Sequence, residues 1–388
     1  MASLSDPFRA GSPGGLSRRH LGRLLGALAA GTTCPLFSEH AMAAEAAKLV
    51  LPAPGAALDP ETVFLNRNEN PLGPAPEGIE AIVKTARYGG RYHPFDEPVE
   101  LTAAIAELRG VKPTYVQPFA GSSDALIRST LAFTSPTRSW VMADPGYGNG
   151  APEVSGAKTI RVPLRADHSH NAKAMIAADP NAGAYYVCNP NNPSGTVTPP
   201  QEIDYLLANK REDAVVIVDE AYIEFSDTAQ SAAGLVAADK DVLVLRTFSK
   251  VYGMAGIRAG YALGRPDLLD KLRPFGINFG LLPITAVACA TASLRAKDLV
   301  LERKAINRRI RDDVFAFFRN KGVDYIPSET SFFMVDVKRP WEEFTRAMAA
   351  RKVIVGRLWP TWPTRVRVSV GTEEEMAKFK AAFEKVLG

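Results

Sequence analysis

The stretch "DVLVLRTFSKVYGMAGIR", residues 241 to 258, sets Ser249 and Lys250 just past an apolar run, with Arg258 eight residues after the lysine. A lysine at the end of a buried strand is costly unless its charge is paired or chemically changed. A second run, "DAVVIVDEAY", ends in Asp219, with Tyr222 three residues on. Singly, Lys250 reads as a surface lysine and Asp219 as a turn cap. Together they meet two demands of one chemistry. An amine condenses with an aldehyde to an imine, and a carboxylate keeps a pyridine nitrogen protonated so that the ring draws electrons. Those are the demands that pyridoxal phosphate makes of a protein.

A phosphate needs a cup. "AGSSDALI" places Gly121, Ser122 and Ser123 at the start of an amphipathic pattern, where free N–H groups and the helix dipole suit a dianion. A plain N-cap serine fits the same letters. Thr247, Ser249 and Arg258 complete the cup, with Arg258 as the charge partner. In "NPNNPSG", two prolines stiffen a loop from which Asn192 reaches a ring oxygen, although such letters also make simple turns. Tyr222 is close enough in sequence to Asp219 to reach the same oxygen. Tyr147 in "DPGYGN" is placed to stack on a ring or merely to pack.

These residues need elements that bring them together. "SWVMADP", "GAYYVCNP", "DAVVIVDEAY" and "DVLVLRTFSK" are short apolar runs ending in polar residues, separated by helical patterns such as "PPQEIDYLLANKR". Strands alternating with helices predict an α/β fold with a largely parallel sheet. Ligands then sit outside the carboxyl ends of the strands, so the polar residues share one crevice. The chain has 388 residues, 46% of them hydrophobic, enough for two domains. Its formal charge of +4 is small, which gives no reason to expect a nucleic acid partner. Cys34, Cys188 and Cys289 are scattered and suggest neither zinc nor disulfides. His168 and His170 flank Ser169 in a polar stretch that reads as a solvated loop rather than a metal pair.

Residues 1–44 differ from the rest. "SRRHLGRLLGALAAG" sets Arg18 and Arg19 before an apolar stretch too short and weak to span a bilayer, and "AMAAEA" offers a small-residue cleavage site. This resembles a twin-arginine export signal and predicts a periplasmic enzyme without a stable membrane anchor. A disordered basic tail, and a cytoplasmic enzyme, is the alternative.

"LNRNENPLGPAP", "AGSSDALI", "DPGYGN", "NPNNPSG", "DEAYIEF", "RTFSKVYGMAGIRAGY" and "RVRVSVGT" follow one another in this order. As an ordered set they resemble the class I/II aminotransferases of fold type I that use pyridoxal phosphate, and among them the histidinol-phosphate aminotransferase family. The resemblance covers about residues 65 to 388. It implies Lys250 as the imine lysine, Asp219 as partner of the pyridine nitrogen, Tyr222 and Asn192 on the ring oxygen and Tyr147 stacked. It implies Ser122, Ser123, Ser249 and Arg258 on the phosphate. Arg367 would bind the substrate carboxylate by a bidentate fork, with Arg365 two residues earlier open to confusion with it. Asn70 would lie on the substrate side. Arg357 in "VGRLW" reads either as facing a substrate phosphate or another acidic tail, or as a surface arginine. Tyr92 in "RYHPF" would reach the partner subunit's cofactor in a homodimer. Three stretches depart from the family: Gly121-Ser122-Ser123-Asp124-Ala125, "RYHPF", and Ser331 in "PSETSFF".

The implied architecture is an N-terminal arm (45–72) joining a small α+β domain (276–388), with a large cofactor-binding domain at 73–275. Three functions are open at this point. The first is amino transfer from an L-amino acid, or an amine like histidinol phosphate, to a 2-oxo acid. The second is decarboxylation or oxidation of an amino acid with the same cofactor. The third is an exported solute-binding protein, which needs neither Lys250 nor Asp219.

Overall fold

The apolar runs form strands, and their buried ends set up the crevice. A computed structural model of the chain describes residues 59–92, 96–148, 150–276 and 282–387. Residues 1–44, with the export-signal reading, lie outside them, as do residues 93–95 of "RYHPF". The described strands are β1 (Val63–Leu65), β2 (Val116–Phe119), β3 (Trp140–Asp144), β4 (Thr159–Pro163), β5 (Ala184–Cys188), β6 (Val215–Asp219), β7 (Val242–Thr247), β8 (Gly260–Leu263), β9 (Tyr325–Ile326), β10 (Phe332–Asp336), β11 (Val353–Val355) and β12 (Arg365–Ser369).

Seven strands make one sheet in the order β2-β8-β7-β6-β5-β3-β4. Only β8 runs against the others, pairing antiparallel with both β2 and β7. Every residue of β5, β6, β7 and β8 is buried. Helices cover both faces, so these strands read as unbroken hydrophobic runs rather than alternating ones. The alternation survives in where side chains go. Val216, Val218, Val242 and Val244 pack in one core with Leu101 and Ile105. Val215, Ile217, Leu243 and Leu245 pack in the other with Leu126 of the helix Ser122–Phe133. The period of two carries on past the apolar residues. It puts Asp219 and Thr247 on the face of Ile217 and Leu245, and Arg246 on the face of Val244.

That opposite face carries a buried ion network. Arg246 donates through Nε to Glu220 at 2.6 Å and through a terminal nitrogen to Glu224 at 2.6 Å, and Arg109 reaches Glu224 at 3.1 Å. Burial alone lowers an arginine's pKa, but here the two carboxylates outweigh it and raise that of Arg246. Breaking a buried pair of this kind costs about 3–5 kcal/mol, so the network pins the segment that follows Asp219.

The remaining strands belong to smaller sheets. β12-β10-β9 is antiparallel, and β1 pairs in parallel with β11, Val63 opposite Val353. The helices Leu299–Lys321, Trp341–Ala349 and Glu373–Leu387 close over an aromatic core of Phe318, Phe333, Phe344, Phe379 and Phe383. Phe318 meets Phe333 edge-on at 5.5 Å. The β1–β11 pairing anchors the arm there and carries residues 66–72 toward the large sheet. Among the described residues, no helix is long and apolar enough to cross a membrane, and no cluster of metal-binding side chains occurs.

His170 corrects the solvated-loop expectation. Its side chain is only 1% exposed, and Nδ1 lies 2.8 Å from the Thr198 hydroxyl, which also accepts the His170 backbone N–H. Burial lowers the imidazole pKa from 6.5 to about 4. Between those values the unfolded chain binds a proton that the folded chain refuses, so stability is lost as pH falls through about 6.5 toward 4. The loss approaches about 3 kcal/mol. Denaturant titrations at stepped pH should show this component, and His170→Gln should flatten it. An unchanged slope in the variant would assign the acid sensitivity to other groups.

Candidate active site

The order of strands in the sheet is also the order of the chemistry. Along the carboxyl edge, Ser122 follows β2, Arg258 precedes β8, Lys250 follows β7, Asp219 ends β6, Asn192 follows β5 and Tyr147 follows β3. Strands lie about 4.8 Å apart, so the cup at β8 and the carboxylate at β6 stand about 10 Å apart, with the amine of β7 between them. All six residues line one cavity of about 380 Å³, with Ser123, Tyr222, Thr247, Ser249 and Arg357.

Lys250 is half-buried, and its Nζ donates to the Asn68 carbonyl at 3.0 Å, 5.4 Å above the Tyr222 ring centre. Asp219 is 3% exposed. One oxygen accepts the Ala221 backbone N–H at 3.1 Å and the other the Tyr186 hydroxyl at 2.9 Å. Burial first, and the Asp219 charge second, push the Tyr186 hydroxyl far above the usual tyrosine pKa. It thus stays a donor and holds the carboxylate's orientation. The Tyr222 hydroxyl accepts from the Asn68 amide at 3.1 Å, and its ring meets Phe332 edge-on at 4.9 Å.

At the β2/β8 end a glycine makes the cup possible. Gly121 has φ 87° and ψ 161°, a conformation nearly confined to glycine, and a Cβ there would run into the Arg258 guanidinium. Gly260 lies so close that a Cβ would sit 2.6 Å from the Ser122 nitrogen. The start of helix Ser122–Phe133 has no side-chain cap, so the backbone N–H groups of its first turn are open to an anion. Arg258 donates to Ser249 at 3.3 Å and to the Ala120 carbonyl at 3.1 Å, and Thr247 donates to Ser249 at 2.9 Å. Arg258 itself has φ 67°, a left-handed backbone that is strained for arginine and turns the chain back onto the cup. This donor set fits a phosphate, Asp219 fits a protonated ring nitrogen, and Lys250 fits an aldehyde. The residues thus match pyridoxal phosphate.

Of the other expected residues Arg357 shares the cavity, whereas Arg367, Asn70 and Tyr92 do not line it. Arg367 is fully buried, behind the cavity wall, donating to the Asn192 side chain at 2.8 Å and the Asn66 carbonyl at 2.9 Å. Arg365 is set apart from it by a bond to Asp324 at 2.8 Å. Arg357 is buried beside the Trp359 ring at 5.5 Å. Asn70 does not line the cavity. Its amide donates to the carbonyls of Lys250 and Val251, at 3.1 and 3.0 Å, which makes it a support for the lysine's backbone. Tyr92 is 90% exposed and also lies outside the cavity.

Sequence reasoning passed over Asn68. It sits at φ 53°, touches both Lys250 and Tyr222, and is held by Ser369 at 2.8 Å from its backbone nitrogen. The signal was an asparagine, a residue that tolerates left-handed backbone, in "NRNENPLG". It also passed over Tyr186, hidden in an apolar run, and Arg67 and Glu69, which line the cavity from the arm.

Comparison with known proteins agrees with this geometry. The family model "Aminotransferase class I and II" matches residues 60–383. The histidinol-phosphate aminotransferase 1 of Nitrosococcus oceani is 34% identical, with 84% of this chain and 89% of that protein covered. That of Akkermansia muciniphila is 34% identical over 84% and 90%. A solved putative histidinol-phosphate aminotransferase from Erwinia carotovora superposes with a TM-score of 0.80 at 27% identity, covering 85% of this chain and 98% of that one. The solute-binding alternative falls with these matches: the chain belongs to the aminotransferase class I and II family.

Proposed function

We propose that this aminotransferase works with pyridoxal phosphate and moves an amino group from an L-amino acid, or an amine like histidinol phosphate, to a 2-oxo acid. The observation that carries the reading is the shared cavity of Lys250, Asp219 and the Arg258 cup. A solved histidinol-phosphate aminotransferase from Sinorhizobium meliloti, similar in fold with a TM-score of 0.75, is described as a complex with pyridoxal-5'-phosphate. When bound, the cofactor supplies an aldehyde for amine capture and a ring that accepts electrons from the substrate's Cα. The first-turn N–H groups at Ser122 and Ser123, with Ser249 and Arg258, would hold the phosphate. Asp219 would keep a proton on the ring nitrogen, and Tyr222 and Asn192 would bind the ring oxygen. Lys250 Nζ, once released, carries the proton away from Cα and returns it. Arg357, which lines the cavity, is the cation for an acidic group of the substrate, while Arg367 behind it holds Asn192 in place.

The test is a half-reaction screen. Loaded enzyme is mixed with single amino acids, or with histidinol phosphate, without an acceptor. For an amino acid donor, bleaching of the visible band with about one 2-oxo acid per site is expected. For histidinol phosphate, the corresponding carbonyl product should appear. Release of carbon dioxide or uptake of oxygen would favour decarboxylation or oxidation instead.

We also propose a homodimer. Tyr92, Val83 and Val99 are 90%, 70% and 67% exposed, apolar surface that suits a second copy. Sedimentation should give twice the chain's mass, and a monomer would end this reading. Residues 1–43 we propose as a twin-arginine export signal, which makes the mature enzyme periplasmic. Arg18→Lys with Arg19→Lys should trap the full-length protein in the cytoplasm, because charge is kept while the guanidinium groups are lost. Equal fractionation of both forms would reduce the leader to a basic tail.

A further inference from the structure

A second cavity, of about 250 Å³, opens between the arm, the helix Leu299–Lys321 and the turn from β12 into the helix Glu373–Leu387. Its wall is largely apolar, with Leu72, Phe225, Ile306, Ile310 and Val370. Three buried polar groups interrupt it. Asn307 donates through its amide to the Thr330 carbonyl at 3.1 Å, which leaves Arg303 and Ser331. Arg303 is 6% exposed, donates to the Val251 carbonyl at 2.9 Å, and forms no ion pair among the described residues. Ser331 is 5% exposed, and its hydroxyl has no hydrogen-bond partner among them.

Both features call for a ligand. A guanidinium carries five N–H donors, and a carbonyl takes up only part of that capacity. Burial lowers the Arg303 pKa, with the charge of Glu77 as the opposing influence. A buried cation with no carboxylate in salt-bridge contact is costly, and so is a buried hydroxyl without a partner. One carboxylate relieves both, taking N–H groups from Arg303 and the O–H from Ser331. The rim limits the ligand to a single negative charge. Arg309 is already paired with Glu373 at 2.7 Å, while Glu69 and Glu374 also line the cavity and repel a second anionic group.

We propose that this cavity binds a small monocarboxylate with an apolar side chain, its carboxylate on Arg303 and Ser331 and its hydrocarbon part against Phe225, Ile306 and Ile310. Nothing in this site depends on the chemistry of Lys250. It is nonetheless close to it, because the Val251 carbonyl that accepts from Arg303 also accepts from Asn70.

Hydrocinnamate is a suitable probe, since it has neither an amino nor a 2-oxo group and is not turned over. In calorimetric titration of the loaded full-length enzyme it should bind, and at least about tenfold more weakly to Arg303→Met, the scale of losing a charged hydrogen bond. Leu72→Trp should weaken it as much. Leu72 is 45% exposed at the cavity mouth, so this variant blocks entry without disturbing the core and serves if Arg303→Met fails to fold. Hydrocinnamyl alcohol, which keeps the ring and drops the charge, should bind at least about tenfold more weakly than the acid. Arg357→Met, in the first cavity, should bind hydrocinnamate as wild type does. No binding by the wild type, full affinity in Leu72→Trp, equal affinity for the alcohol, or a loss confined to Arg357→Met would each overturn the site.

Discussion

Lys250→Ala is expected to abolish nearly all turnover, by at least about 10³–10⁴-fold, while leaving the protein folded. The size follows from two roles lost together, the amine that captures the aldehyde and the base that moves the Cα proton, and proton transfer alone is worth about 10²–10⁴. Nothing else in the cavity replaces it. Tyr222 and Ser249 are held in other hydrogen bonds, and Arg258 is committed to the cup through Ser249 and the Ala120 carbonyl. The structural loss is small. Lys250 is half-buried and its amine donates to the Asn68 carbonyl, a bond worth about 1 kcal/mol of stability. The cup does not involve the lysine, and cofactor should still bind weakly through its phosphate. Three readouts separate the roles: thermal unfolding unchanged within a few degrees, cofactor binding weakened but present in an equilibrium titration, and turnover gone. A small primary amine added to the variant should restore part of the rate, because the cavity then has room for it beside Asn68. Turnover within tenfold of wild type would remove Lys250 from the mechanism.

The residues that sequence alone picked out share one physical feature. Asp219 ends a strand buried on both faces, and Ser249 and Lys250 follow another; polar residues at such places stand out against the apolar runs before them. The parallel sheet was legible for the same reason, and so was the shared crevice at its carboxyl edge. What stayed hidden was set by contacts distant in sequence. Asn68 matters because β1 pairs with β11, some 290 positions away, and carries the arm onto Lys250. Tyr186 looks like any apolar strand residue until β5 and β6 are put in register, Cys188 opposite Asp219. His170 looked solvated because its neighbours are polar, whereas Thr198, 28 residues on, covers it. Arg365 and Arg367 lie on the same face of β12 by the period of two. Only the position along the strand separates them: Arg365 opens β12 at its edge beside Asp324, and Arg367 lies mid-strand, behind Asn192. The same blindness applies to Arg303 and Ser331, which come from a helix and a loop and meet only at the second cavity.

Asp219→Asn is expected to keep the cofactor and its visible band but lower turnover by about 10²–10³-fold, the scale of removing one preorganised polar group from a site of developing charge. An asparagine has nearly the shape of the aspartate but cannot hold a proton on the ring nitrogen by its charge. The competing explanation is that Asp219 only caps the turn, through the Ala221 N–H at 3.1 Å. Loss of a cap costs about 1 kcal/mol of stability and leaves the rate per folded molecule unchanged. Stability by itself does not separate the two, because the substitution also robs the buried Tyr186 hydroxyl of a charged acceptor, at about 1–3 kcal/mol. Tyr186→Phe supplies the control. It removes that hydroxyl, leaves the carboxylate in place, and should carry a stability loss with turnover kept within about tenfold. The measurement is turnover divided by the folded, cofactor-loaded fraction for wild type and both variants. If Asp219→Asn and Tyr186→Phe lose rate in equal measure, the carboxylate has no role beyond holding its neighbours. If Asp219→Asn alone loses two orders of magnitude or more, the charge at the end of β6 governs the electron demand of the site.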